Sequence, residues 1–242
     1  MIKTIFIDLD DTLWDTRANN KDAMRELFEM KLWGEKLGDF EGWYADYAGH
    51  NDFLWDEYRK GSISKPELIL RRLREPLEPG LGAMTDEELL GLNDLFLELV
   101  GGKSKVVEGA VELLEGLKKQ YRVGVLSNGF REVQTNKMRS AGLLGYFDFI
   151  VLSEDAGANK PHKAFFDYAF EISGTRPSES LMIGDSWAAD IAGALGAGIP
   201  AVWFNPLMEK RPEERSEFLK PVYEIHRLSE IPPLLRTLSA FF

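Results

Sequence analysis

The apolar residues of this chain change their period twice. Residues 2–7 form a short β-branched run that stops abruptly at Asp8, Asp10 and Asp11. A buried strand ending in carboxylates predicts the carboxyl edge of a parallel sheet, where α/β proteins place their sites. Between about 19 and 99 the apolar spacing becomes helical, over 21–32, 53–58, 67–74 and 87–99, and no strand pattern occurs. Pro66 stands near a helix start, and 76–82 reads as punctuation between helices. The same stretch carries Trp33, Trp43, Tyr44, Tyr47, Phe53, Trp55 and Tyr58. From 106 onward helix and strand alternate. Helices are predicted over 110–119, 132–141, 163–172 and 188–195, and strands over 122–126, 147–152, 181–183 and 199–204. Residues 207–221 read as a charged surface segment, and 229–238 as a closing helix.

This alternation predicts an α/β fold: a Rossmann-like parallel sheet with helices on both faces, plus an inserted all-helical domain. The core is expected over 1–15 and 101–242, and the insertion over 16–100. A chain of 242 residues with 44% apolar content is large enough for one such core. The net charge of -11 repels nucleic-acid backbones and acidic membrane surfaces, so neither is expected as a partner. No apolar run approaches the roughly 20 residues that cross a bilayer. The acidic N-terminus lacks the features of a secretory signal, and a cytoplasmic location is expected. With no cysteine, thiolate nucleophiles, disulfides and Cys-ligated zinc are excluded. The three histidines, His50, His162 and His226, are too scattered to suggest a metal site.

Four polar clusters follow, or closely trail, four of the predicted strands. They are Asp8 with Asp10, Ser127 with Asn128, Lys160, and Gly184-Asp185 through Asp190. Parallel strands put their carboxyl ends on one edge, so the clusters should converge there. Singly, each has a plain structural reading: Asp after a strand is a common turn former or helix cap, and Lys160 and Asp190 would be surface residues. Their order and placement together carry the chemistry. Two other signatures fail. Gly184-Asp185-Ser186 lacks the Asp-x-x-His partner of a lipase-like serine hydrolase, because Tyr223 precedes His226. Gly102-Lys103-Ser104 lacks the first glycine of a P-loop, which would fall at Leu97.

The set resembles the haloacid dehalogenase superfamily from end to end. Asp8-Leu9-Asp10-Asp11-Thr12-Leu13 matches its first motif, Ser127 the second, Lys160 the third, and Gly184-Asp185 with Asp190 the fourth. The insertion resembles its type-1 helical cap. Asp11 departs slightly from relatives that carry Gly there. The resemblance implies Asp8 as a nucleophile forming an aspartyl-phosphate, and Asp10 as the acid and then base. It implies Mg²⁺ held by Asp8, Asp185 and the backbone carbonyl of Asp10. Ser127, Asn128 and the following amides would hold the phosphoryl group, Lys160 would neutralise it, and Asp190 would orient the site from behind. Asp10 favours phosphate over halide as the group displaced, since a halide needs no proton.

Further stretches, Leu126-Ser-Asn-Gly-Phe130 and Tyr146-Phe-Asp-Phe-Ile150 among them, are similar to the bacterial pyrimidine 5′-nucleotidase branch. That implies a small phosphorylated metabolite, a nucleoside monophosphate, as substrate, chosen by a cap that closes over the site. A phosphatase of sugar phosphates or phosphoglycolate, a phosphomutase, or a non-catalytic phosphate-binding regulator remain open. The oligomeric state is not read from the sequence.

Overall fold

The computed structural model describes residues 1–212 and 221–239. The chain divides into two compact units: Met1–Thr16 with Ser104–Phe242, and Arg17–Lys103.

The first unit is built on six parallel strands: β1 (Thr4–Ile7), β2 (Arg122–Ser127), β3 (Phe149–Leu152), β4 (Ser180–Gly184), β5 (Ala201–Phe204) and β6 (Val222–Ile225). Their order is β3-β2-β1-β4-β5-β6, with every neighbouring pair parallel. Every residue of β1, β4 and β5 is buried, as central strands require when both faces are covered. Phe6, Met182, Leu126 and Val151 point into one core layer, against Phe165, Phe166, Trp187 and Ile191. The chain winds one way from β1 to β3 and the other way from β4 to β6. The switch point therefore lies between β1 and β4, where open α/β sheets form a crevice.

β6 has no counterpart in the sequence reading. It is a four-residue edge strand whose first three residues are partly or fully exposed, too short and too polar to show a period. The expected segment 207–221 lies partly outside the described residues. The expected helix 188–195 opens instead with a π turn, Trp187–Ile191, before Ala192–Gly196.

The second unit is helical: Thr16–Met30, Gly34–Leu37, Phe40–Arg59, Lys65–Leu81 and Asp86–Gly101. Residues 76–82 do not break the chain as expected, because the helix from Lys65 runs to Leu81 with Pro76 and Pro79 inside it. A capping box between Ser64 and Glu67 and the burial of Leu68, Leu73 and Leu77 hold it against the lost backbone bonds. The helix expected over 53–58 begins much earlier, at Phe40. Asp39 caps it, and Phe40, Trp43, Tyr47 and Leu54 bury one face. Trp43 stacks on Tyr47 with centroids 5.4 Å apart, so these rings are core of the unit. No helix among the described residues is long and apolar enough to cross a membrane.

Candidate active site

Asp8 leaves the end of β1 with its amide donating to Ile183 O at 2.9 Å, which fixes it beside β4. The chain then turns back sharply. Leu13 and Trp14 both donate to Leu9 O, and Asp11 donates to Trp14 O at 2.8 Å. Asp11 sits at φ 59°, the left-handed region that glycine reaches without strain and Asp tolerates. That explains why either residue serves at this position. The turn brings Asp10 Oδ1 to within 3.0 Å of the Thr16 hydroxyl, which donates to it.

Lys160 is 2% exposed. Its ammonium reaches Asp8 Oδ1 at 2.5 Å, Leu126 O at 2.6 Å and Asp190 Oδ1 at 2.7 Å. The first two are hydrogen bonds, and the contact with Asp190 is an ion pair. Burial works against its charge, yet Asp190 and Asp8 outweigh that and hold its pKa above the ordinary lysine value. Lys160 is placed by Asn128, whose side-chain amide accepts from Lys160 N at 2.8 Å and donates to Lys160 O at 3.0 Å. The Asn128 side chain is thus a clamp on the lysine.

Asp190 lies behind this pair, 1% exposed, with its second oxygen accepting from Ser186 N at 3.1 Å. The π turn puts it there: Asp190 N and Ile191 N both donate to Ser186 O, and the Ser186 hydroxyl accepts from Ala189 N. Gly184 is required by the same approach, because a Cβ there would stand 2.3 Å from Asp190 Oδ2. Asp185 is tied to the first loop through Thr12. The threonine hydroxyl donates to Asp185 Oδ1 at 3.2 Å and accepts from Asp185 N at 3.1 Å.

One oxygen from each of Asp8, Asp185 and Asp190 falls within 4.8 Å of the others. Burial, with Asp190 and Asp10 adding to it against Lys160, pushes the Asp8 carboxyl up to about 7. Burial and the charges of Asp8, Asp190 and Asp11 hold Asp185 well above the carboxylate range. Two desolvated carboxylates that repel one another form a donor set short of positive charge. Hard oxygen donors of this kind suit Mg²⁺. Asp8 and Asp185 fit as direct ligands. Asp190 already spends both oxygens on Lys160 and Ser186, which fits a supporting place.

Asp10 lies outside that carboxylate cluster. Besides Thr16, Lys137 Nζ reaches its Oδ1 at 2.7 Å and Gln134 Nε2 its Oδ2 at 2.7 Å. Burial alone would raise its pKa, but Lys137, Gln134 and Thr16 together bring it below the ordinary value. Gln134 Nε2 also donates to Ser127 Oγ at 2.6 Å, and Gly129 N to the same oxygen at 3.0 Å. With its lone pairs so engaged, the Ser127 hydroxyl is left to donate its own proton. The sequence reading missed Gln134, Lys137, Thr12 and Thr16. A faint signal existed: in the polar helix Arg131–Ser140, Val133, Gln134, Lys137 and Met138 share the buried side.

A doubly wound sheet carries an aspartate at the end of its central strand, faced by a buried lysine and two further aspartates. The sequence profile of the haloacid dehalogenase-like hydrolases matches residues 2–198, and the chain belongs to that family. It is 31% identical to the pyrimidine 5′-nucleotidase YjjG of Escherichia coli over 96% of each chain. It is also 31% identical to a glyceraldehyde 3-phosphate phosphatase of Pyrococcus abyssi, over 85% of this chain and 82% of that one. The crystal structure of YfnB from Bacillus subtilis, bound to magnesium, superposes with a TM-score of 0.84 at 30% identity, covering 97% of this chain and 99% of that one.

Proposed function

We propose that this chain is a Mg²⁺-dependent phosphomonoesterase that works through an aspartyl-phosphate on Asp8, with nucleoside monophosphates as substrates. The observation that carries the chemistry is Lys160, buried and bonded at 2.5 Å to Asp8, with a second carboxylate, Asp10, two residues on. Asp8, Asp185 and the Asp10 carbonyl would hold the metal, which supplies positive charge against the anionic phosphoryl group. An Asp8 oxygen forms the bond to phosphorus as the ester P–O bond breaks, and the leaving oxygen takes a proton from Asp10. Asp10, now a carboxylate, takes a proton from water whose oxygen attacks phosphorus. Inorganic phosphate leaves and Asp8 is restored. The lowered pKa of Asp10 keeps it ionised, the state from which the second half starts. A phosphate dianion bound beside it raises that pKa for the first half. Ser127 donates to a phosphoryl oxygen, and Lys160 neutralises charge throughout.

The nucleotide part of the reading is supported by the likeness to YjjG. The likeness to the archaeal phosphatase supports a triose phosphate as the second reading. Phosphate release with Mg²⁺ should give a higher kcat/KM for uridine monophosphate than for guanosine monophosphate, glyceraldehyde 3-phosphate or phosphoglycolate. Comparable values would overturn the nucleotidase reading and leave the phosphatase reading in place. Trapping with BeF₃⁻ should put the adduct on Asp8, and an adduct on Ser127 or Ser186 would overturn the mechanism.

A further inference from the structure

The helix Arg131–Ser140 carries two polar side chains inward, one turn apart. Gln134 is fully buried and Lys137 is 7% exposed, in a helix that is otherwise mostly polar and solvated. Burying a lysine and an amide is costly unless the groups they meet return the hydrogen bonds. Here the groups met are Asp10 and Ser127, which satisfy the Lys137 ammonium and the Gln134 amide nitrogen, while the Gln134 amide oxygen is buried with no hydrogen-bond partner among the described residues. The Lys137 ammonium is bonded to Asp10 Oδ1 at 2.7 Å and also sits 4.4 Å from the centroid of the Trp14 ring. The Gln134 amide nitrogen reaches Asp10 Oδ2 at 2.7 Å and Ser127 Oγ at 2.6 Å. Its orientation is fixed by chemistry, since turning the amide over would face its oxygen to an ionised carboxylate. Gly129 has the space this needs. A Cβ there would lie 2.2 Å from Gln134 Nε2 and 2.4 Å from its Cδ.

From this geometry we infer that Gln134 and Lys137 are positioning residues that lock the Asp10 carboxylate in place and, through Gln134, tie it to the Ser127 hydroxyl. The inference rests on the reading of Asp10 as the acid and base of a phosphatase. Neither residue touches the reacting phosphorus in this role. An Asp10 free to rotate would still be present but would miss the leaving oxygen and the attacking water. A displacement of about 1 Å at such a group costs on the order of 100-fold in rate. Lys137 holds Asp10 alone. Gln134 holds Asp10 and Ser127, so its loss should also loosen the phosphoryl pocket.

The test is rapid mixing of Lys137→Met and Gln134→Leu with 4-nitrophenyl phosphate and Mg²⁺, alongside steady-state uridine monophosphate hydrolysis. The 4-nitrophenolate group leaves without a proton, so formation of the aspartyl-phosphate from this ester does not need Asp10, whereas its hydrolysis does. Lys137→Met should keep a burst of about one 4-nitrophenolate per chain at the rate of the unmodified protein. Its steady-state turnover should fall about 10- to 100-fold, and with 4-nitrophenyl phosphate KM should fall with kcat so that kcat/KM is little changed. Gln134→Leu should show the same fall in turnover with a lowered kcat/KM for 4-nitrophenyl phosphate. Loss of burst and turnover together in both variants, or of the cooperative thermal transition in both, would reduce the pair to a packing role and overturn the inference. So would unchanged turnover in both variants of an active protein, which would leave the phosphatase reading intact. No 4-nitrophenolate from the unmodified protein would remove that reading and this inference with it.

Discussion

Replacing Asp8 with Asn tests the electrostatics of the site apart from its catalysis. In the metal-free protein, burial pushes the Asp8 carboxyl from 3.8 to about 7, with Lys160 opposing and Asp190 adding to the shift. A raised folded-state pKa means that the folded chain binds this proton more tightly than the unfolded chain. The resulting stability is full below pH 3.8 and is lost as pH rises towards 7. At neutral pH the penalty for holding this carboxylate ionised is on the order of a few kcal/mol. Asn carries no charge at any pH and escapes this penalty. Its amide oxygen still serves Lys160 as an acceptor, but the attraction of a carboxylate for that ammonium is lost, while the contacts to Leu126 O and Asp190 remain. A net gain of about 2 kcal/mol is therefore expected at pH 8, or ~4–8 °C in Tm for a chain of this size. The gain should shrink towards pH 4. The assay is thermal unfolding in EDTA from pH 4 to 8, repeated with Mg²⁺. Saturating Mg²⁺ at about 100 Kd should stabilise the unmodified protein by about 2.7 kcal/mol and the variant by much less. Turnover should be lost in the variant throughout. A Tm difference that does not change with pH, or a variant less stable than the unmodified protein at pH 8, would refute this account of Asp8.

Two further outcomes are expected. Gly184→Ala puts a methyl group 2.3–2.6 Å from three atoms of the Asp190 carboxyl and its Cβ. It should cost about 1–3 kcal/mol and slow turnover by moving Asp190 off Lys160, as read by denaturant melts and steady-state kinetics. At the opposite edge, Glu179 is drawn down to about 2 by its hydrogen bonds to Arg176 and Lys3. Its contribution is present above about pH 4.5 and is lost as pH falls through 2, so Glu179→Gln should lower Tm at pH 7 and have no effect at pH 2.

What the sequence revealed follows the physics of each element. The central strands are legible because burial on both faces demands continuous apolar runs, and the carboxylates at their ends break those runs sharply. The motif residues are legible because they lie at strand ends, where chain order fixes their meeting. β6 was not, because an edge strand of four residues has neither run nor alternation. The helix from Phe40 was obscured by Gly42, Gly49 and scattered charges, although its buried aromatics keep helical spacing. Pro76 and Pro79 misled for a different reason: tertiary burial along the helix outweighed a local breaking tendency. Gln134 and Lys137 were hidden because lysine and glutamine on a polar helix are normally solvated. Only the position of Asp10, reached through the turn at Asp11, shows what they meet.

The charges of the site explain why it needs that helix as well as the strand ends. Asp8, Asp10, Asp185 and Asp190, with Asp11 near enough to act on Asp185, face two ammonium groups, Lys160 and Lys137, so negative charge is in excess with every group ionised. A bound cation would offset that excess; burial and mutual repulsion raise the proton affinities of Asp8 and Asp185. The two lysines divide the carboxylates between them. Lys160 serves Asp8 and Asp190, and Lys137 serves Asp10. The same burial therefore has opposite outcomes two residues apart. Asp8 is pushed up, with repulsion from Asp190 and Asp10 adding to burial, while Asp10, with a lysine of its own, is drawn down. Without Lys137 that separation would narrow, because Asp10 would lose the charge that draws its proton affinity down against burial.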